Sequence, residues 1–332
     1  MGMEDDIRRI MLASRVPGAA LYVVDQGQVV LERGFGETGK GTGDLVTTRT
    51  VFEAASLTKP IFACLVLKLS ANGLLDLDRP IADYLQENEI CADQRYKRIT
   101  PRHVLCHSGG FQNWRREEPL KIHFTPGTAF KYSGEGYVYL QRALESLTGE
   151  PLERTVKRSV LDPLALTDSS MIWSTAVGTM LSNSFSENGD CKEPQPLGEA
   201  NAAYSLYTSL QDYAHFVMGF LNPVNSLLKP ESLLGMLTPQ VSVATHLGWS
   251  LGWGVIESST QQHSFWHWGD NGNFKSFVWF DPVGRSALLM FTNSANGLIM
   301  AHAVARHMGI EGSKAFSDFL CPLYQSQLLP RK

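Results

Sequence analysis

Strand signals lie at the two ends of this chain and helical signals lie between them, an order that restricts the folds open to it. Near the start, Ala19–Val24 and Gln28–Arg33 are β-rich runs around Asp25-Gln26-Gly27, the pattern of a hairpin. After Gly248 come Gly252–Glu257, Ser264–Trp268, Lys275–Asp281 and Arg285–Asn293. These runs are short, rich in aromatic or aliphatic residues, and separated by turns such as Asp281-Pro282-Val283-Gly284. Between the two ends, helical spacing runs over Ser56–Asn72, Arg79–Glu87, Thr100–His107, Gly134–Leu147, Leu152–Val160 and Ser209–Phe220. Asp5–Ala13 and Asn296–Met308 read as flanking helices, and Ser174–Ala202 as an irregular polar surface segment. The expected fold is α/β in the α+β sense: an antiparallel sheet built from both chain termini and flanked by helices, with a mainly helical region inserted. One unit is expected over residues 1–332, with its sheet part about 1–55 and 221–332 and its helical part about 56–220.

Composition supports a folded chain. Of 332 residues, 43% are hydrophobic and 19% charged, enough apolar surface for a sizeable core. The net charge of −4 comes with no Lys/Arg cluster, which argues against nucleic acid or an anionic membrane as a partner. The acidic start, Met1-Gly2-Met3-Glu4-Asp5-Asp6, precedes no apolar run of leader type, and Ile61–Leu69 is too short to span a bilayer. The five cysteines (Cys64, Cys91, Cys106, Cys191 and Cys321) are odd in number and scattered, as reduced thiols of a cytoplasmic protein would be. Oligomeric state has no signature in the sequence.

Three elements carry chemistry. Ser56-Leu57-Thr58-Lys59 is an S-x-x-K element opening a helix, where positions three apart share a face. A Lys with a depressed pKa there can remove the serine proton. The bland alternative is a helix N-cap serine followed by a solvated lysine, but apolar and small residues enclose the element on both sides. Lys131-Tyr132-Ser133-Gly134 brings a tyrosine that can act as general acid/base beside a Ser–Lys pair, or that simply packs under a loop. Trp266-His267-Trp268-Gly269-Asp270 ends a strand. Gly269 lets a backbone approach, the Asp270 N–H is one candidate oxyanion donor and the Ser56 N–H the other. His267 is expected to hydrogen-bond the substrate or Tyr132, unless it only packs between the two tryptophans. Trp114, Phe111, Trp249, Trp253, Trp266 and Trp268 suggest an aromatic-lined cleft, with Ser174–Ala202 as one wall.

Taken in order, these elements resemble the serine β-lactamase and penicillin-binding-protein superfamily, in its class C branch with the family VIII carboxylesterases and D-amino-acid peptidases. The likeness runs from about Pro17 to His307 and includes Phe52-Glu53-Ala54-Ala55-Ser56, Gly73-Leu74-Leu75-Asp76 and His107-Ser108-Gly109-Gly110. It implies Ser56 as the acylated nucleophile, Lys59 as its base and Tyr132 as the tyrosine of a Y-x-N element. His267-Trp268-Gly269 takes the place of K-T-G in an H-x-G form. Two departures stand out: Gly134 replaces the Asn of Y-x-N, and His267 replaces a lysine. Both remove polar contacts that an amide or a β-lactam carboxylate would use. The resemblance therefore implies a carboxylesterase acting through an acyl-enzyme on small or medium acyl esters. The alternatives are a β-lactamase or D-amino-acid peptidase, an acyltransferase with a non-water acceptor, and an inactive binding protein. A small-molecule ester or amide is the expected partner, and the chemistry calls for no cofactor or metal.

Other signals are weaker. Gly34–Gly41 fits a glycine-rich phosphate loop, but Gly41 stands where a hydroxyl is needed and no amphipathic helix follows. His103, Cys106 and His107 share one expected helix, where a structural role outweighs a metal site. No G-x-S-x-G element is present, which disfavours an α/β-hydrolase.

Overall fold

The structure is a computed structural model that describes residues 2–41, 43–85, 92–115, 117–258, 262–310 and 312–328. The first helix, α1 (Met3–Ser14), leads into β1 (Gly18–Asp25) and β2 (Gln28–Gly36), a hairpin closed by Gln26-Gly27. Both turn residues have positive φ, which Gly27 tolerates and which matches the twist of the flanking strands. Next come β3 (Val51–Ala55) and α2 (Thr58–Ala71). The helical region holds α3 (Pro101–Leu105), α4 (Gly134–Thr148), α5 (Leu152–Val156) and α6 (Thr175–Met180). Small strands β4 (Ser184–Phe185), β5 (Cys191–Lys192) and β6 (Leu206–Ser209) follow, then α7 (Leu210–Leu221) and α8 (Pro230–Leu237). The chain closes with β7 (Val241–Ala244), β8 (Leu247–Trp249), β9 (Gly254–Glu257), β10 (His263–Asn271), β11 (Phe274–Asp281) and β12 (Ser286–Thr292). Helices α9 (Gly297–His307) and α10 (Ser313–Leu328) end the described residues.

Eight strands form one antiparallel sheet in the order β2-β1-β12-β11-β10-β9-β8-β7. The N-terminal hairpin joins the C-terminal strands where Ala19 faces Thr292 and Val24 faces Ala287. Strand β1 is buried over seven consecutive residues because both faces of the sheet are covered. On one face Phe277 and Trp266 meet Phe316 of α10; on the other Phe291 meets Tyr213 of α7 and Phe280 meets Phe220. The expected sheet from both termini around a helical region is therefore present.

Several local expectations change. Arg79–Glu87 is not a helix over its described part: Pro80 leads into one 3₁₀ turn, Ile81–Tyr84, whose Tyr84 hydroxyl accepts from Asp76 N at 2.9 Å. Residues 86 and 87 lie outside the described residues, as does Cys91. Leu152–Val160 divides into α5 and a π turn over Lys157–Leu161. Ser174–Ala202, expected to be irregular, holds α6 and the β4–β5 pair. Helix α10 and the β3–β6 pair were not expected. Among the described residues no helix is long and apolar enough to cross a membrane, and Cys64, Cys106 and Cys191 are free thiols.

Candidate active site

Ser56 sits on a tight turn between β3 and α2. Strand β3 is wholly buried and pairs with β6, with a register shift between Glu53 and Ala55. Ala55 then takes φ +58°, the left-handed region that costs a residue with a Cβ free energy. The turn is held by Thr58 Oγ1, which donates to Ala55 O at 2.5 Å and accepts from Leu206 N at 3.0 Å. The helix begins at Thr58, two residues later than the sequence suggested, and its N-cap is Leu57. Ser56 is thus not a capping serine; its hydroxyl donates to Ala203 O at 3.3 Å.

Lys59 follows on the first turn of α2 with 1% of its surface exposed, so the solvated-lysine alternative fails. Its Nζ donates to Ser56 Oγ at 3.1 Å and to Ala203 O at 2.8 Å. It also stands 4.9 Å from the Tyr132 ring centre and 5.4 Å from that of Tyr137. Burial pulls its pKa from the usual 10.5 down to about 7. Ala203 is a partner that side-chain reasoning missed, because it acts through its backbone. Its turn is fixed by Asn201 Oδ1, which accepts from Ala203 N at 2.9 Å, and by Gln141 Oε1, which accepts from Ala202 N at 2.9 Å.

Tyr132 lies in the extended segment before α4. Ser133 caps that helix, its Oγ accepting from Gly136 N at 3.0 Å and donating to Gln112 O at 2.8 Å. The Ser133 N–H donates to His107 Nδ1 at 3.1 Å, which leaves the His107 proton on Nε2. The His107 ring packs 4.2 Å from the Tyr132 ring, and Trp268 lies 4.8 Å away. Tyr132 Oη is buried without a hydrogen bond of ordinary geometry. Burial raises the phenol pKa well above its usual range, against a smaller lowering by the nearby Ser56 hydroxyl. The imidazoles behind it are held neutral: burial and the Lys59 charge lower His107 well below its usual value and His267 to about 3. His107, which the sequence suggested only as a structural residue, thus packs against Tyr132, Tyr137, Phe130 and Trp249 beside Lys59. His103 instead accepts from Thr100 N at 3.3 Å, and the Cys106 thiol meets Ser108 Oγ at 3.2 Å.

The third element follows the period of two of a strand. His267 and Gly269 face β3 and the helical region; Trp268 and Asp270 face the cavity beside α10. His267 is fully buried against Trp249 and Trp253 and makes no hydrogen bond to Tyr132, one of the two partners expected for it. Trp268, one of the aromatics that the sequence suggested for the cleft, lines the cavity. A Cβ on Gly269 would lie 2.3 Å from Ala54 O and 2.1 Å from Ser276 Oγ, so only glycine lets β10 pass this close to β3. Asn271 faces Phe274 across a two-residue loop and Asp270 faces Lys275. Alternation of the ladder therefore turns the Asp270 N–H away from β11. Its carboxylate is held by Lys275 and by Gly272 N.

A cavity of about 560 Å³ opens over Ser56, Lys59 and Tyr132. Its apolar walls are Trp114, Phe130, Trp268 and Phe319, and its polar edge is Asn113, Lys131 and Asp270. Of the aromatics expected to line a cleft, Trp249, Trp253, Trp266 and Phe111 are core residues instead. The expected wall from Ser174–Ala202 is supplied by α10 through Phe319. Gly134 has its reason here: a Cβ on it would lie 2.3 Å from the Trp114 indole, which occupies the space a side chain would need.

Comparisons with known proteins identify the family and the fold. The Beta-lactamase family model matches residues 3–308. Protein flp of Staphylococcus aureus (strain COL) is 23% identical over 319 residues, covering 88% of this chain and 61% of its own. The chain thus spans about 61% of the length of these curated relatives. Esterase EstB of Burkholderia gladioli is 30% identical over 184 residues, 46% of this chain and 47% of its own. The structure of D-alanine carboxypeptidase AmpC from Burkholderia cenocepacia superposes with a TM-score of 0.77 at 18% identity, covering 91% of this chain and 97% of that one. The chain belongs to the β-lactamase family, a family of serine hydrolases with a common fold.

Proposed function

We propose that the protein is a carboxylesterase that works through an acyl-enzyme on Ser56, with a small or medium acyl ester as its substrate. The observation that carries this reading is Lys59: a buried amine with a pKa of about 7, hydrogen-bonded to the Ser56 hydroxyl. Neutral Lys59 takes the Ser56 proton as Oγ attacks the ester carbonyl. The Ser56 and Asp270 N–H groups receive the oxyanion. The proton passes through Tyr132, whose neutral phenol can donate it, to the departing alkoxide as the C–O bond breaks. Water then attacks the acyl-enzyme with the same groups as base, releasing the acid and restoring Ser56. The preference for esters rests on this element: the Trp268 indole lines the cavity, and His267, where the resemblance has a lysine, is neutral and buried behind it, so neither offers a charge for a β-lactam carboxylate. The similarity to an esterase over part of the chain supports the same choice. Lys131 on the cavity edge is the one observation favouring a second reading, a peptidase acting on substrates with a free carboxylate. The free thiols support a reducing, cytoplasmic setting.

The test compares p-nitrophenyl acetate and butyrate with nitrocefin, for the native chain and Ser56→Ala. Ester turnover is expected to exceed nitrocefin turnover in kcat/KM by at least about 100-fold and to fall about 1,000-fold or more in Ser56→Ala. Faster nitrocefin turnover, or ester turnover that survives Ser56→Ala, overturns the proposal.

A further inference from the structure

We infer that Asn113 is a specificity residue, donating a hydrogen bond to a carbonyl oxygen carried by the acyl group beyond the scissile ester. The position two residues after Tyr132 has no side chain, because Trp114 stacks into the space above Gly134. The loop that delivers Trp114 delivers Asn113 with it. The Gly134 N–H donates both to Asn113 O at 3.1 Å and to Asn113 Oδ1 at 2.9 Å, and the Glu135 N–H donates to Asn113 O at 3.0 Å. A backbone N–H can only donate, so the carboxamide orientation follows from chemistry: its oxygen is tied to α4 and its NH2 is left free. Among the described residues no protein acceptor holds that NH2, and Asn113 lines the cavity together with Ser56, Lys59 and Tyr132. Among the described residues, the other side chains with N–H donors along this wall are Lys59, Lys131 and the Trp114 and Trp268 indoles. A neutral, anchored amide NH2 in a cavity walled largely by aromatic rings suits a neutral oxygen acceptor on a short chain, such as an acylamino or oxo group. We assign that acceptor to the acyl portion, since it stays in the cavity through both half-reactions.

This inference rests on the hydrolase reading above, and one matched pair of substrates separates the two. p-Nitrophenyl 4-oxopentanoate and p-nitrophenyl pentanoate differ by one carbonyl oxygen. Asn113→Asp keeps an oxygen for the Gly134 N–H and removes the NH2; Asn113→Ala removes both. The native chain is expected to favour the oxo ester in kcat/KM. The ratio of the two esters is expected to fall about tenfold in both variants, the loss of one hydrogen bond. An unchanged ratio in Asn113→Asp overturns the role of Asn113. Failure of the hydrolase reading shows separately, as turnover that does not depend on Ser56. In that event the same comparison is made by calorimetry in Ser56→Ala, with methyl 4-oxopentanoate and methyl pentanoate. Tighter binding of the oxo ester that is lost on adding Asn113→Asp sustains the assignment; equal affinity for the two esters overturns it.

Discussion

Lys59 is buried, and burial is the only cause that moves its pKa; no carboxylate bears on it. Two consequences have opposite practical signs. The neutral amine is the form that can accept a proton, so kcat/KM on esters is expected to rise tenfold per pH unit up to about 7 and then level off. Lys59→Arg should abolish that limb and lower turnover by about 10²–10⁴-fold, read from a pH–rate profile. For stability, the folded pKa lies below that of the unfolded chain, so the unfolded chain binds more protons between about pH 7 and 10.5. Stability gains from this group as pH rises through that window, and its cost is full below pH 7. Lys59→Met is therefore expected to stabilise the inactive protein by about 2–4 kcal/mol at pH 6 and by less at pH 9. Equal gains in denaturant melts at the two pH values would show that burial of the charge is not the cause. Ala55 adds a strained φ one residue before Ser56, and the tight Thr58 bridge holds it there.

Among the elements, α10 has the most direct bearing on selectivity. It lies beyond residue 308, where the family match ends, yet Phe319 packs on Trp268, Trp266 and Phe130 and closes one side of the cavity. Phe319→Ala is expected to cost about 1–3 kcal/mol of stability and to move the best substrate to a longer acyl chain. Profiles over p-nitrophenyl acetate to octanoate would show it, and an unmoved optimum would remove Phe319 from the wall. The sequence made some elements legible and hid others for physical reasons. The hairpin Ala19–Arg33 and the C-terminal strands declare themselves by β-branched and aromatic residues and by the turns that bound them. Val51–Ala55 does not, because Glu53-Ala54-Ala55 are weak strand formers and the buried run shows no alternation to make up for it. Ser56, Lys59 and Tyr132 were recognisable from spacing and order. The Ala203 carbonyl was not, since a backbone acceptor has no residue identity. Asn113 was hidden on a loop whose position depends on Trp114 and Gly134 fitting together. Phe319 was hidden because its helix was not recognised at all.

At the scale of the molecule, the sheet draws β1 and β2 from one end of the chain and β7 to β12 from the other, while the helical region supplies Lys59, Tyr132 and Asn113. The cavity is therefore a seam between parts distant in sequence, and neither part holds it alone. Removing the chain from Ser286 onward would take away β12 and leave β1 without the partner that Ala19–Val24 uses. Such a chain is expected to leave the soluble fraction almost entirely, as measured by centrifugation and light scattering; a soluble chain with native ellipticity would show that the β1–β12 ladder is dispensable. The same ladder sets a timetable for biosynthesis. As the polypeptide emerges from the ribosome, the β1–β2 hairpin appears before the other strands of the sheet with an open edge, and its partner β12 is the last strand of that sheet to follow. Until Ser286–Thr292 is made the nascent chain carries an unpaired apolar edge, so slower synthesis and a holding chaperone should raise its yield more than any stabilising substitution in the finished fold.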